Sequence, residues 1–196
     1  MDAQGRMVIV SGPSGSGKSS IVRRLVRDPR VVFSVSATTR PPRAGEVDGR
    51  DYVFLTPQEF ARRRRRGEFL EQAEVHGNMY GTLASQMEDA LALGRIFLLE
   101  IDVQGANQIK AQRIPCLSIF VVAPSPEELR RRLIGRGTDS PEVIERRLKK
   151  AEDELREGGK YDHVVVNDDL ERALSEVRAL MGLEERAPRA LGGDRS

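Results

Sequence analysis

A chain of 196 residues, 39% of them hydrophobic, has apolar material for one domain of ordinary size with a small insertion. Its 32 lysines and arginines against 30 aspartates and glutamates leave a net charge of +2, without the surplus of a dedicated nucleic-acid binder. The single cysteine excludes an internal disulfide and a cysteine-built zinc site, no apolar run is long enough to span a bilayer, and MDAQGRMVIVSG is no signal peptide, so a reduced, cytoplasmic protein without a membrane partner is expected.

In chain order, MVIVS (7–11) is a short apolar run before a Gly-rich turn and predicts a buried parallel strand. Ile21, Val22, Leu25 and Val26 share one face of a helix over 19–28, and VVFSVS (31–36) predicts a second strand. YVFL (52–55) is a third. Thr56-Pro57 supplies an N-cap and first-turn proline for a helix running to Gly67. Residues 68–77 predict a strand or extended segment, and LASQMEDALALG (83–94) an amphipathic helix closed by glycine. RIFLLEI (95–101), the most hydrophobic run, predicts a central strand. A helix over 103–112, a buried strand over 117–123 and helices over 124–137 and 140–157 follow, the last opened by Ser-Pro. A short strand (163–168) and a helix (170–182) end the pattern. Cys116, in IPCLSIFVV, is expected to be a small buried hydrophobe.

This alternation predicts an α/β fold with a mainly parallel sheet. Residues 37–82 break it: they are polar, turn-rich and without a long helix, which marks an insertion. The polar, Pro- and Gly-containing tail, 183–196, is expected to be disordered. RRRRR (62–66) points all around a helix and reads as a solvated face, not a nucleic-acid site.

GPSGSGKS (12–19) fits G-x-x-x-x-G-K-[ST], after a predicted strand and at the start of a predicted helix. Gly12, Gly15 and Gly17 let backbone N–H groups curl around phosphate oxygens, with Pro13, Ser14 and Ser16 between them and Ser20 just beyond. The helix dipole favours the same anion, Lys18 can reach the β- and γ-phosphates, and Ser19 can ligate Mg²⁺. This is a P-loop for a nucleoside triphosphate, and a short chain with an anion-binding insertion points to a small acceptor for the γ-phosphoryl group.

SATTRPPRAGEVDGRDY (36–52) supplies that anion site. Arg40 and Arg43 flank a stiff Pro-Pro step, Tyr52 follows, and Tyr80 can join them on a phosphate, with Arg40 also facing the transferred group. A phosphate monoester is largely a dianion at neutral pH and needs no general base, which suits a chain whose only histidines, His76 and His163, sit in no base constellation. Guanine would present two donors to a carboxylate and its O6 to a hydroxyl or N–H; Glu71 or Glu74 and Ser36 or Thr82 offer these groups, whereas adenine N1 would repel a carboxylate. Glu100 and Asp102, two residues apart on a predicted strand, are expected on one face, where either could hold Mg²⁺-bound water or touch guanine.

SGPSGSGKSSIVRRL, SVSATTRPPRAGEVDGRDYVFL, FLEQAEVHGNMYGT, LLEIDVQGANQIK, RRLIGRGTDS and VVVNDDL occur in the order found in guanylate kinases, over roughly residues 6–182. The chain resembles that family in its bacterial, soluble form. The resemblance implies a P-loop NTPase-type sheet flanked by helices: a core of 1–36, 83–125 and 158–182, a GMP-binding insertion (37–82) and a helical lid (126–157). It implies phosphorylation of GMP, with dGMP as a further acceptor, by ATP with Mg²⁺. It assigns Ser36, Arg40, Arg43, Tyr52, Glu71, Tyr80 and Thr82 to GMP, Arg136 and Arg147 to a lid over the ATP phosphates, and Asn167-Asp168 to the adenine side. Glu100 stands where the family usually has aspartate, which leaves open which of Glu100 and Asp102 does what. Oligomeric state is not implied. Two other readings are a non-catalytic binding module of guanylate-kinase type, which would have no need of Lys18, Ser19 and lid arginines together, and a kinase for another small acceptor.

Overall fold

The computed structural model describes residues 5–75, 77–135 and 140–184. The first half holds β1 (Arg6–Ser11), α1 (Lys18–Leu25), β2 (Val31–Phe33), β3 (Ala37–Thr38), β4 (Val53–Phe54), α2 (Pro57–Arg65), β5 (Phe69–Val75) and β6 (Asn78–Leu83). The second holds α3 (Ala84–Ala92), β7 (Ile96–Glu100), α4 (Val103–Ala111), β8 (Cys116–Val122), α5 (Pro126–Ile134), α6 (Pro141–Leu155), β9 (His163–Val166) and α7 (Leu170–Leu180). Among the described residues the strands form two sheets: a five-stranded one in the order β2-β7-β1-β8-β9 and a four-stranded one in the order β4-β3-β6-β5.

The larger sheet is parallel at every pairing. Both its faces are covered, which explains why its strands read as continuous apolar runs. Val8 and Val10 of β1 pack with Ile21 and Leu25 of α1 and Val177 of α7. Met7 and Ile9, on the other face, pack with Ala90 of α3 and Ala106 and Ile109 of α4. The two layers of helices fix the sheet rigidly enough to aim the loops at its carboxyl edge.

Residues 37–83 build the smaller sheet. Phe60 of α2 is buried against Ala37 and Leu83 and stacks on Phe69 with ring centroids 4.4 Å apart. Thr56 caps α2 by accepting from the Glu59 N–H at 3.1 Å, as its sequence predicts. β6 was not predicted: NMYGTL has little strand character alone and is held by antiparallel pairing to both β3 and β5. α5 and α6 form a separate small core through Leu129, Leu133, Ile144, Leu148 and Ala151. Ser140 stands at the N-cap of α6, but its hydroxyl donates to Glu142 instead of capping the helix.

Three expectations change. Leu183 is 1% exposed and its carbonyl accepts from Arg30 and Arg178, so the packed chain extends past Gly182; residues 185–196 lie outside the described residues. Cys116 is only half-buried, because it begins β8 at the sheet margin. Asp102 does not alternate with Glu100 along a strand, since β7 ends at Glu100 and Asp102 is the N-cap of α4. The arginine run is a solvated face, with Arg62 and Arg63 paired to Glu59 and Arg66 to Glu68.

Candidate active site

The P-loop leaves β1 at Ser11 and enters α1 at Lys18. Gly12 has φ +132°, and a Cβ there would lie 2.1 Å from the Val121 carbonyl oxygen. Gly17 has φ +94°, and its Cβ would meet the Asn167 amide nitrogen at 2.1 Å. Both positions need glycine for backbone angle and for space. Lys18 Nζ donates to the carbonyls of Gly12 (2.5 Å) and Pro13 (2.8 Å), so the ammonium lies along the loop. Ser19 Oγ donates to Glu100 Oε1 at 2.5 Å.

Asn167 is 5% exposed and its amide donates to the Ser16 carbonyl at 2.8 Å. Its own N–H donates to the Val122 carbonyl, and Arg132 of α5 donates to the carbonyls of Asn167 (2.8 Å) and Ser16 (3.3 Å). Asn167 thus clamps the loop from the end of β9, and Arg132, which sequence reasoning missed among the arginines of α5, joins it. Asp168 pairs with Arg172 and accepts from the Asp169 N–H. A cleft of about 370 Å³ opens in front of the loop, lined by Gly12, Ser14, Gly15, Gly17, Lys18, Ser19 and Ser20, and across from them by Glu100, Asp102 and Arg147. Arg136 lies outside the described residues, as does His76.

The second half of the site is on the smaller sheet. Arg40 follows β3, and its Nη2 donates to both Glu46 oxygens at 2.8 and 3.0 Å while Nη1 donates to the Pro41 carbonyl. Its guanidinium lies 5.3 Å from the Tyr52 ring centroid and 5.9 Å from that of Phe54. Tyr80, paired with Thr38 across the sheet, meets Tyr52 edge-on with ring centroids 6.1 Å apart and adds to the electrostatic surroundings that favour the charged Arg40 guanidinium, after Glu46. The Glu46 carboxylate, with Arg40 foremost and the Arg43 N–H second, is held below the usual carboxylate range. The structure therefore brings Arg40, Tyr52 and Tyr80 together. Arg43 joins through its backbone, its side chain lying at the surface. Glu46 is the member that sequence reasoning missed; its signal was an acid six residues after Arg40 in a Gly-containing turn.

Glu71 and Thr82 face each other across β5 and β6, and the Thr82 hydroxyl donates to Glu71 Oε1 at 2.8 Å. Both are buried. Burial, reinforced by the nearby Asp102 charge, pushes the Glu71 carboxyl above the usual range although Thr82 opposes the shift. Gly105 at the start of α4 leaves space beside it: a Cβ there would lie 3.1 Å from Glu71 Oε2. Asp102 spends one oxygen on the Gly105 N–H at 2.9 Å. Ser36, half-buried, is tied by its carbonyl to the Val53 N–H just before β3. Glu74 lines a different groove, with Pro57, Phe60 and Met79, and is separated from Glu71. Chemically, the arrangement offers an anion cradle at the P-loop, a guanidinium-phenol cluster, and a buried carboxylate-hydroxyl pair suited to adjacent donors and an acceptor.

A family model described as guanylate kinase matches residues 4–184. The guanylate kinase of Dechloromonas aromatica is 50% identical over 95% of this chain and 94% of that protein. That of Symbiobacterium thermophilum is 49% identical over 93% of this chain and 87% of its own length. Among solved structures, guanylate kinase from Anaplasma phagocytophilum superposes with a TM-score of 0.70 at 36% identity, covering 97% of this chain and 92% of that one. With a P-loop cleft on one sheet, a carboxylate-arginine-tyrosine site on the other, and matches spanning nearly the whole chain, the protein belongs to the guanylate kinase family.

Proposed function

We propose that the P-loop cleft takes MgATP and the smaller sheet takes GMP, with dGMP as a further acceptor, and that Arg40 serves both the GMP phosphate and the transferred group. The reaction, transfer of the γ-phosphoryl group of ATP to GMP to give ADP and GDP, is that of the family to which the chain belongs and serves purine nucleotide metabolism. The observation that carries the assignment of residues is the Glu71–Thr82 pair: a buried carboxylate whose one side-chain donor among the described residues is the Thr82 hydroxyl keeps acceptor capacity for N1–H and N2–H₂ of guanine.

The phosphate of GMP would be held by Arg40, Arg43, Tyr52 and Tyr80. Glu46 keeps the Arg40 guanidinium in place and must share it when a phosphate arrives. The acceptor oxygen is already anionic near neutral pH, so the residues orient and neutralise, and none has to remove a proton. Backbone N–H groups between Gly12 and Lys18 would hold the ATP phosphates, Lys18 would follow the transferred group, and Arg147, with Arg136 as the sequence implies, would meet charge that develops during transfer. Ser36 would support guanine, and Asn167 and Asp168 the adenine side, Asn167 also by fixing the loop.

The Ser19 hydroxyl and Glu100 carboxylate, in contact at the mouth of the loop, are hard oxygen donors that fit Mg²⁺. Ser19 would hold the ion directly and Glu100 or Asp102 through water, and the ion would supply charge neutralisation for the phosphates. Among the described residues no helix is long and apolar enough to cross a membrane; with one half-buried thiol, a cytoplasmic location is the natural setting. The test is ADP release from MgATP with GMP, dGMP, AMP, CMP and UMP. GMP is expected to be used far faster than AMP, CMP and UMP. No turnover with any acceptor would point to a binding module, and equal use of AMP to a kinase that reads another base.

A further inference from the structure

Helix α6 turns three charged side chains into the phosphate cleft. Arg147, Lys150 and Glu154 all line it and stand at i, i+3 and i+7 on one side of the helix. Lys150 Nζ lies 3.4 Å from Glu154 Oε1 and 3.9 Å from Asp102 Oδ2. The ammonium thus links α6 to the N-cap of α4 across the mouth of the cleft. The side chain of Glu154 is only 11% exposed. Burial raises its carboxyl, and the charges of Lys150 and Lys18 pull it back. A carboxylate on the wall of an anion cleft repels a triphosphate unless it serves to hold a cation there. Lys150 and the P-loop Lys18, both lining the cleft, are the cations whose charges act most on Glu154 among the described residues.

We propose that Lys150 is a further phosphate-contacting residue of the transfer reaction and that Glu154 is the positioning residue that keeps its ammonium in the cleft. Lys150 is 58% exposed on a flexible stem, and its longer link, to Asp102, is the one it gives up when phosphate oxygens enter. Asp102 remains satisfied by the Gly105 N–H. Placed one turn from Arg147, Lys150 adds a second α6 charge against the transferred group, and the two arrive together if α6 moves. The inference rests on the reading of this cleft as the ATP site.

The test compares initial rates with MgATP and GMP for the full chain and for Lys150→Met, Lys150→Arg, Glu154→Gln, the Lys150→Met/Glu154→Gln double variant and Lys18→Met. Losing one charged hydrogen bond should lower kcat/KM for ATP by about ten- to a hundredfold in Lys150→Met. KM for GMP should stay within about twofold, and Lys150→Arg should recover most of the rate because it restores the charge. Glu154→Gln should lose less, and the double variant should be no slower than Lys150→Met, since a positioning residue has nothing left to position. Lys150→Met within about twofold of the unmodified protein, with Lys18→Met inactive, overturns the proposal and leaves the cleft assignment standing. Activity in both Lys150→Met and Lys18→Met overturns the cleft assignment itself. Losses that multiply in the double variant overturn the role of Glu154. Lys150 is exposed and contributes nothing to the core; were Lys150→Met unstable, Lys150→Gln is read by the same criteria.

Discussion

Glu71→Gln is expected to move activity and stability in opposite directions. The carboxylate presents two acceptor oxygens; the amide presents one acceptor and one donor, and that donor would face a donor on guanine. At least one hydrogen bond to a charged group is lost, about 1.5–3 kcal/mol, so kcat/KM for GMP should fall by roughly ten- to a hundredfold. KM for ATP should move much less, because Glu71 lies on the smaller sheet and does not line the P-loop cleft. Stability should rise. Thr82 can still donate to the amide oxygen, and a charge that is both buried and near Asp102 is removed. Because the folded-state pKa of Glu71 is raised, folding favours its protonated form. The destabilisation is therefore absent below the ordinary glutamate range and grows as pH rises through the raised value. At neutral pH the ligand-free Gln variant should melt higher than the unmodified protein, and the difference should vanish in acid. By the same titration, KM for GMP in the unmodified protein should rise on acidification at a pH above the ordinary glutamate range. Steady-state kinetics with each substrate and thermal melts from pH 4 to 8 read both halves. A Gln variant with normal GMP kinetics would refute the base-reading role, and one that melts lower at neutral pH would refute the electrostatic reasoning.

Lys18→Ala should abolish transfer while leaving the circular dichroism spectrum and GMP binding intact, because its ammonium lines the cleft and contacts loop carbonyls. Asn167→Ala should raise KM for ATP and leave KM for GMP in place, since it releases the Ser16 carbonyl and costs about 1–3 kcal/mol of loop order. Asp28, buried, accepts from Arg30 and Arg178, and Arg30 above all holds its carboxyl far below the usual range. Its contribution to stability is present above the ordinary aspartate range and is lost as pH falls through that range and below. Asp28→Asn should therefore lower the melting temperature at neutral pH, by about 1–3 kcal/mol in stability, and should remove part of the acid sensitivity seen in melts below pH 5.

The parts of this protein that were legible in its sequence are those where local chemistry decides. Parallel strands buried on both faces show as apolar runs, and the P-loop shows because its backbone angles demand glycine at fixed spacing. Long-range pairing was not legible. β6 is a strand only because β3 and β5 hold it, and the side-by-side placement of Glu71 and Thr82 depends on that register, bulge included. Asp102 departs from its expected place because β7 ends at Glu100, two residues before it; an aspartate just before a helix is a preferred N-cap, and that signal was present.

Arg40 poses the harder question, because its contacts within the protein are already good. A guanidinium bound to Glu46 and resting between Tyr52 and Phe54 is ordered before any phosphate arrives. That order lowers the entropic cost of binding but sets a carboxylate in competition with the ligand. Arg40 has donors on several nitrogens, so phosphate can be added without Glu46 being expelled. Arg43, exposed, meets Glu46 through its backbone N–H and through charge, and its guanidinium would be drawn in by the phosphate. The two arginines should then separate kinetically. Arg43→Ala should raise KM for GMP by about tenfold or more with kcat little changed, since it removes binding present before and during transfer alike. Arg40→Ala should lower kcat as well, because it also meets charge present only in the transition state. Steady-state constants for both substrates decide the matter: an unchanged KM for GMP in Arg43→Ala would leave that side chain as surface, and an unchanged kcat in Arg40→Ala would confine it to holding the phosphate.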